Sequence, residues 1–398
     1  MTTVTRPGVS APPLVSPGDA TVLLEEYAPA TDRLLATPYR TLLGRGAVAE
    51  LPHGGGALSE RVRALLDERR RAGDADPVVM GALPFDPDGV PALAVPETVR
   101  WAPPLREDPL IALPVPATGD RWSVREVPEP EVYGAAVAAA VERMKGGEFD
   151  KVVLARTLEL TAPQAPDLPA MLRRLARRDP AGYTFAVPSA PGRTLVGASP
   201  ELLVSRTGST LTANPLAGSA PRSADLAEDV RRAAALLESA KDLHEHAVVV
   251  DAVRAALAPF CARIDVPARP TLVSTAAMWH LSTTVTGELA DPEHTTALDL
   301  ASALHPTPAV CGTPTGLARQ VIAESEPFDR GAYTGMVGWQ NADGDGEWVV
   351  TIRCAEAEGR LLRLFAGAGV VAESSPAAET AETGAKFRTF LNAVGATL

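Results

Sequence analysis

The stretch WVVTIRCAEAEGRLLRLFA, Trp348–Ala366, decides the fold class. Its two aliphatic and β-branched runs, Trp348–Cys354 and Arg360–Ala366, read as paired hairpin strands. Hairpins build antiparallel sheets, whereas parallel strands need long crossovers. Working outward, strands fit Lys151–Leu160, Gly182–Val187, Thr194–Gly197, Ser282–Leu289 and Gly335–Gln340, with a hairpin-like Glu201–Asn214. Helical spacing fits Val132–Gly146, Leu168–Arg178, most of Ser223–Leu257, and Ala377–Val394. Strands and helices alternate irregularly, so the pattern predicts an α+β chain with antiparallel sheets rather than a doubly wound parallel sheet.

The N-terminal third has a different texture. Nineteen of the 37 prolines fall in residues 1–130. Proline fixes φ and removes a donor, so this part of the fold is expected to be rich in loops and edges. One helix fits Ser59–Ala72, and Pro103–Pro130 reads as a turn-rich link to the region from 131 to 398. No short-period repeat is present, which argues against a solenoid.

Composition narrows the function classes. Against 49 Asp and Glu stand 37 Lys and Arg, a formal charge of −12 over 398 residues. That balance argues against a nucleic-acid partner and against an anionic membrane surface. A small anionic substrate remains open, because a few local cations outweigh a diffuse field. Three cysteines, Cys261, Cys311 and Cys354, form no CxxC pair and no disulfide framework, which fits a reducing cytoplasm. The start, broken by Pro7, Pro12, Pro13 and Pro17, does not read as a signal peptide, and no apolar run is long enough to span a bilayer.

Several residues could carry chemistry. In SAKDLHEHAVVVDAV, Asp242 and Glu245 stand three apart; in SSPAAETAETGAKF, Glu379 and Glu382 repeat that spacing, with Lys386 four residues on. Residues three and four apart share a helix face, so two such faces meeting would offer the oxygen ligands that Mg²⁺ prefers. Taken alone, the spacing reads more readily as two solvated faces with Lys–Glu pairs. His244 and His246, two apart, do not face each other and lack the HExxH pattern, so zinc is poorly supported. Lys151 shares a strand face with Val153 and Ala155; it is either a snorkelling edge residue or a desolvated base. Glu201 is either an acid kept protonated by apolar surroundings or a turn and edge residue. Glycines in Pro215–Ser219 and Gly367–Gly369 could bring backbone N–H groups to a carboxylate, and Arg353 could clamp one or form an edge salt bridge. Neither glycine segment matches a dinucleotide or P-loop fingerprint.

Taken in order, FDKVVLAR, GASPELLVS, NPLAGSAPR, SAKDLHEHAVVVDAV, MWHLSTTV, LHPTPAVCGTP, EPFDRGAYTGMVGW, TIRCAE and AGAGVVAESSPAAETAETGAKF resemble the chorismate-utilising enzymes, most of all the isochorismate synthases of catechol siderophore pathways. The resemblance covers Val132 to the C-terminus. It implies two stacked, mostly antiparallel sheets with helices outside, chorismate as substrate and Mg²⁺ as cofactor. By motif, Lys151 would activate water and Glu201 would protonate the departing ring hydroxyl. Glu245 and Glu382 would hold Mg²⁺, with Asp242 and Glu379 supporting through its waters. Arg353, Tyr333 and Gly367 would hold the enolpyruvyl carboxylate; Gly218, Ser219, Lys386 and His305 would complete the pocket. Position 242 is Asp where some members carry Glu, and the shorter reach favours a water-mediated role. A stand-alone cytoplasmic monomer without a glutaminase subunit is implied. Salicylate synthase is the main alternative, differing by a further elimination of pyruvate. A non-catalytic chorismate-binding module and a metal-dependent hydrolase are more distant.

Overall fold

The computed structural model describes residues 18–29, 31–52, 54–116 and 121–396. The N-terminal segment read above as no signal peptide lies almost entirely outside them. Among the described residues no helix is long and apolar enough to cross a membrane.

Two large sheets, of ten and nine strands, and a small one of three strands carry the fold, and every strand pair is antiparallel. The two large sheets face each other. Leu35, Phe185, Leu195 and Phe365 of the first form one buried cluster with Met80, Leu202, Val337 and Val349 of the second. The outer face of the ten-stranded sheet packs on helices Asp19–Glu26, Leu168–Arg178 and Pro376–Val394. The outer face of the nine-stranded sheet packs on Leu58–Arg71, Ala240–Leu257 and Ala297–Leu304. Both large sheets are thus covered on both faces, so central strands such as Lys151–Thr161 are buried along nearly their whole length.

The Pro-rich third is woven into this frame. Strands Arg33–Ala36, Thr41–Arg45 and Thr98–Ala102 extend one end of the ten-stranded sheet, and Val78–Leu83, Ala92–Val95 and Ala49–Glu50 extend the nine-stranded one.

The opening hairpin is re-paired. Trp348 lies in strand Gly346–Val350 of the nine-stranded sheet, opposite Gly338 and Val204. The chain then leaves that sheet through Thr351–Arg353, where Arg353 takes a φ of 51°. Cys354–Glu358 belongs to the other sheet and makes the true hairpin with Leu361–Val370. The predicted continuous strand Trp348–Cys354 therefore breaks at a left-handed residue, a conformation that costs a non-glycine side chain energy. The Glu201–Asn214 hairpin forms as Leu202–Thr207 against Thr210–Asn214. The long helical stretch divides at Ser239, which ends Leu226–Glu238 and caps Ala240–Leu257 by accepting from the Asp242 N–H at 3.2 Å. Predicted strand Ser282–Leu289 also divides: Met278–Ser282 joins the small sheet and Val285–Leu289 the nine-stranded one.

Candidate active site

A cleft of about 810 Å³ opens where the large sheets, the small sheet and two helices meet. Two backbone crossovers build its floor. The chain passes from the ten-stranded to the nine-stranded sheet through Ser199-Pro200-Glu201, and returns through Thr351-Ile352-Arg353. Both Glu201 and Arg353 line the cleft.

Glu201 is 3% exposed. Its carboxylate accepts one long hydrogen bond from the Leu216 N–H at 3.4 Å. Burial raises its pKa to about 7, against the lowering effects of that N–H and of Arg353, Lys151 and Lys386. The sequence reading left Glu201 between acid and edge residue; the structure makes it a buried carboxyl poised near neutrality. Arg353 is also buried, yet its guanidinium makes no hydrogen bond and no ion pair within 4 Å among the described residues. Burial pushes its pKa down, partly countered by Tyr333, Glu382 and Glu201. A buried cation without a direct partner is costly and calls for an anion from outside.

Lys151 begins strand Lys151–Thr161, and Val153 two residues on lines the cleft, as the alternation requires. Its Nζ donates to Glu245 Oε1 at 2.8 Å, and Glu245 forms the cleft wall in front of it. Burial works to raise the Glu245 pKa, but Lys151, with Lys386 and Lys241, outweighs it and holds the carboxyl below its ordinary range. Gly369 makes this pairing possible: a Cβ there would stand 2.7 Å from Glu245 Oε1 and 3.2 Å from Lys151 Cε.

The helix Pro376–Val394 brings Glu382 and Lys386 to the opposite wall. Lys386 Nζ contacts Glu382 Oε1 at 2.5 Å and donates to the Gly367 carbonyl at 2.8 Å. Ser219 Oγ donates to the same Glu382 oxygen at 3.4 Å. Asp242 also lines the cleft and is raised by burial and by Glu245 and Glu382, against its bond with Ser239 Oγ. Gly218, at φ 75°, lets the small-sheet strand Leu216–Pro221 bulge past Asp242, whose Cβ a side chain there would meet at 3.0 Å. Tyr333 stacks on Phe365, ring centroids 4.9 Å apart, and both line the cleft with Gly367.

Three expected residues lie outside the cleft lining. Lys151 stands behind Glu245, to which its Nζ is hydrogen-bonded. His305 does not line the cleft; it is partly buried against Phe85, whose carbonyl lies 3.4 Å from Nε2, and burial pushes its pKa down to about 4. Glu379 lies outside the lining too, 3.5 Å from Lys241 Nζ.

The model of the chorismate binding enzyme family matches residues 113–395. The chain belongs to that family. Isochorismate synthase DhbC of Bacillus subtilis (strain 168) is 53% identical over 384 residues, covering 94% of this chain and 96% of its own. The vibriobactin-specific isochorismate synthase of Vibrio cholerae is 44% identical over 338 residues, covering 85% and 84%. A crystal structure described as a putative 2,3-dihydroxybenzoate-specific isochorismate synthase, DhbC from Bacillus anthracis, superposes with a TM-score of 0.89 at 48% identity, over 95% of this chain and 100% of its own.

As a member of this family the chain presents an acidic wall already charge-compensated from within. Lys151, Lys386 and Lys241 face Glu245, Glu382 and Glu379 in turn. Among the described residues no three His, Cys, Asp or Glu side chains stand together as a preformed metal cage. Glu379 is nevertheless raised by burial and then by Glu382, and its buried Oε1 has no hydrogen-bond partner. Two cleft residues escaped the sequence reading. His280, buried and opposite Ser219 in the small sheet, alternates within MWHLS and was legible as an inward position. Lys241 sits one residue before Asp242 and had no signal of its own.

Proposed function

We propose that the protein is an isochorismate synthase, an isomerase converting chorismate to isochorismate. The observation that carries this reading is Glu201, a buried carboxyl with a pKa near 7, facing the same cleft as the unpartnered Arg353 guanidinium. The names of the relatives support it, and their 2,3-dihydroxybenzoate and vibriobactin specificities favour a catechol siderophore route.

The chemistry needs one base and one acid. Water adds to the ring carbon next to the ring carboxylate, the double bonds shift, and the ring hydroxyl leaves as water, so atoms balance as an isomerisation. Lys151 takes the proton of the attacking water. Glu201, protonated in about half of molecules at its pKa, gives its proton to the departing hydroxyl. Each turnover leaves a proton more on Lys151 and one fewer on Glu201, and solvent exchange restores both. Arg353 binds the enolpyruvyl carboxylate, offering a fork to a planar anion. Tyr333 and the Gly367 backbone bound the same end, while Gly218, Ser219 and Lys386 bound the other.

Mg²⁺ fits the remaining donors. It is commonly bound by one or two carboxylates and completes its shell with water and substrate oxygens, so no closed cage is required. Glu245 and Glu382 would hold it, with Asp242 and Glu379 behind; Glu379 Oε1 accepts no hydrogen bond and has Lys241 Nζ 3.5 Å away. When bound, it supplies positive charge for the substrate's ring carboxylate.

Incubating the purified protein with chorismate and Mg²⁺, and identifying every product, tests the reading. Isochorismate alone is expected. Salicylate with pyruvate would establish the alternative synthase, and no turnover would leave a binding module.

A further inference from the structure

A second cleft, larger than the catalytic one, lies on the far side of helix Ala240–Leu257. It spans about 1480 Å³ including its open mouth. Leu243, Ala247, Val250 and Arg254 line it from the helix, and the loop Val266-Pro267-Ala268-Arg269-Pro270 closes it from the other side. Residues 243, 247, 250 and 254 share one helix face, turned away from Asp242 and Glu245. The cleft walls are mostly apolar, and Thr283 at one wall is held by His246 Nε2 at 2.7 Å.

Charge at this cleft is unspent. Arg254 and Arg269 are both exposed, and among the described residues neither side chain makes a hydrogen bond or an ion pair within 4 Å. Two unpaired guanidiniums line one cleft with apolar side chains between them in the lining, in a chain of net charge −12. The apolar walls suit a flat ring, and the guanidinium fork suits a carboxylate. Asp251, on the same helix face, opposes a multiply charged anion such as a phosphate ester.

We propose that this cleft is a second ligand site, separate from the catalytic cleft, that binds a small aromatic monocarboxylate. The site stands on its own geometry; only the choice of probe, 2,3-dihydroxybenzoate, rests on the function proposed above.

Calorimetric titration of the full chain with 2,3-dihydroxybenzoate tests it. One site is expected to bind with chorismate present in excess. Arg254→Ala with Arg269→Ala should weaken binding at least tenfold, and Ala247→Trp, which fills the slot from an exposed position, should abolish it. Neither variant should change turnover of chorismate. Absence of binding, displacement by chorismate, or unchanged affinity in both variants would overturn the proposal. Binding does not require turnover, so a chain that binds the probe here yet makes no isochorismate would refute the proposed function and leave this site standing.

Discussion

Glu201 and Arg353 are tied to each other's crossovers: the Glu201 carbonyl accepts from the Val350 N–H, and the Arg353 carbonyl from the Ala198 N–H, both at 3.1 Å. Each residue sits where the chain leaves one large sheet for the other, so neither can shift without moving the other's strand. An acid and an anion clamp are thereby fixed relative to one another by backbone rather than by side-chain contact. Such placement suits a reaction whose departing hydroxyl and held carboxylate belong to one rigid ring.

Arg353→Lys should therefore damage binding of substrate more than the fold. Lysine keeps the charge but loses the planar fork, and the net loss expected for a charge-assisted bidentate contact is about 1.5–3 kcal/mol, roughly 10- to 150-fold in kcat/KM. Steady-state kinetics should show most of it in KM. An unchanged KM would remove Arg353 from the substrate site.

Lys151→Gln keeps most of the side-chain length and can still hydrogen bond to Glu245, which sits 2.8 Å from the amine. The proton acceptor is gone, and the expected fall in kcat is about 10²- to 10⁴-fold. Substrate binding, followed by equilibrium titration, should persist. Retention of kcat within a few-fold would assign the base elsewhere.

How far the sequence could lead is clearest at these positions. The face shared by Lys151 and Val153 was legible because the strand alternates; Val153 reaches the cleft lining, while Lys151 stands behind Glu245. Helical spacing showed that Asp242 shares a face with Glu245 and Glu379 with Glu382, although Glu379 turned to Lys241 instead. Spacing gives the face, but packing chooses among the residues on it. The break at Arg353 was not legible: TIRC has good strand propensity, and only tertiary pairing in two different sheets forces it out of the β region. His305 was placed by its neighbours in the chain, yet burial against Phe85 took it away from the cleft. The small sheet was missed because Leu216–Pro221, rich in small residues and proline, lacks a strand signature and is held by pairing with Met278–Ser282.

Glu201 should leave a mark on stability as well as on rate. Its folded pKa is raised from 4.5 to about 7. A raised carboxyl favours folding fully only below its unfolded pKa, and that contribution is lost as pH climbs through the folded value. Above pH 7 the penalty for the buried carboxylate approaches about 3 kcal/mol. Glu201→Gln removes the titration with little change of shape. The thermal midpoint of the variant, compared with the parent, should rise between pH 4.5 and 7 and level off above. Activity should fall about 10²-fold or more, and the parent's kcat/KM should decline on the alkaline side of about pH 7. A midpoint difference independent of pH would place the Glu201 proton elsewhere.

Glu382→Gln tests the cation proposal. Removing one carboxylate should raise the Mg²⁺ concentration for half-maximal activity at least tenfold, while leaving Lys386 free to bond Gly367 at its present 2.8 Å. Metal binding followed directly by calorimetry should weaken in parallel. An unaltered titration would take Glu382 out of the ion's reach.

Gly369→Ala separates site geometry from fold stability. Its φ is not in the left-handed region, so alanine meets no backbone penalty there. The added methyl instead meets Glu245 Oε1 at 2.7 Å and Lys151 Cε at 3.2 Å. Both atoms belong to flexible side chains, so the pair can give way while the sheet stays put. The expected outcome is a thermal midpoint close to the parent's with kcat/KM lowered about tenfold or more, since small misplacements of a reacting group are expensive. A variant that lost stability in step with activity would mean that the methyl had displaced the strand. Parental activity would mean that the Lys151–Glu245 pairing has no part in turnover.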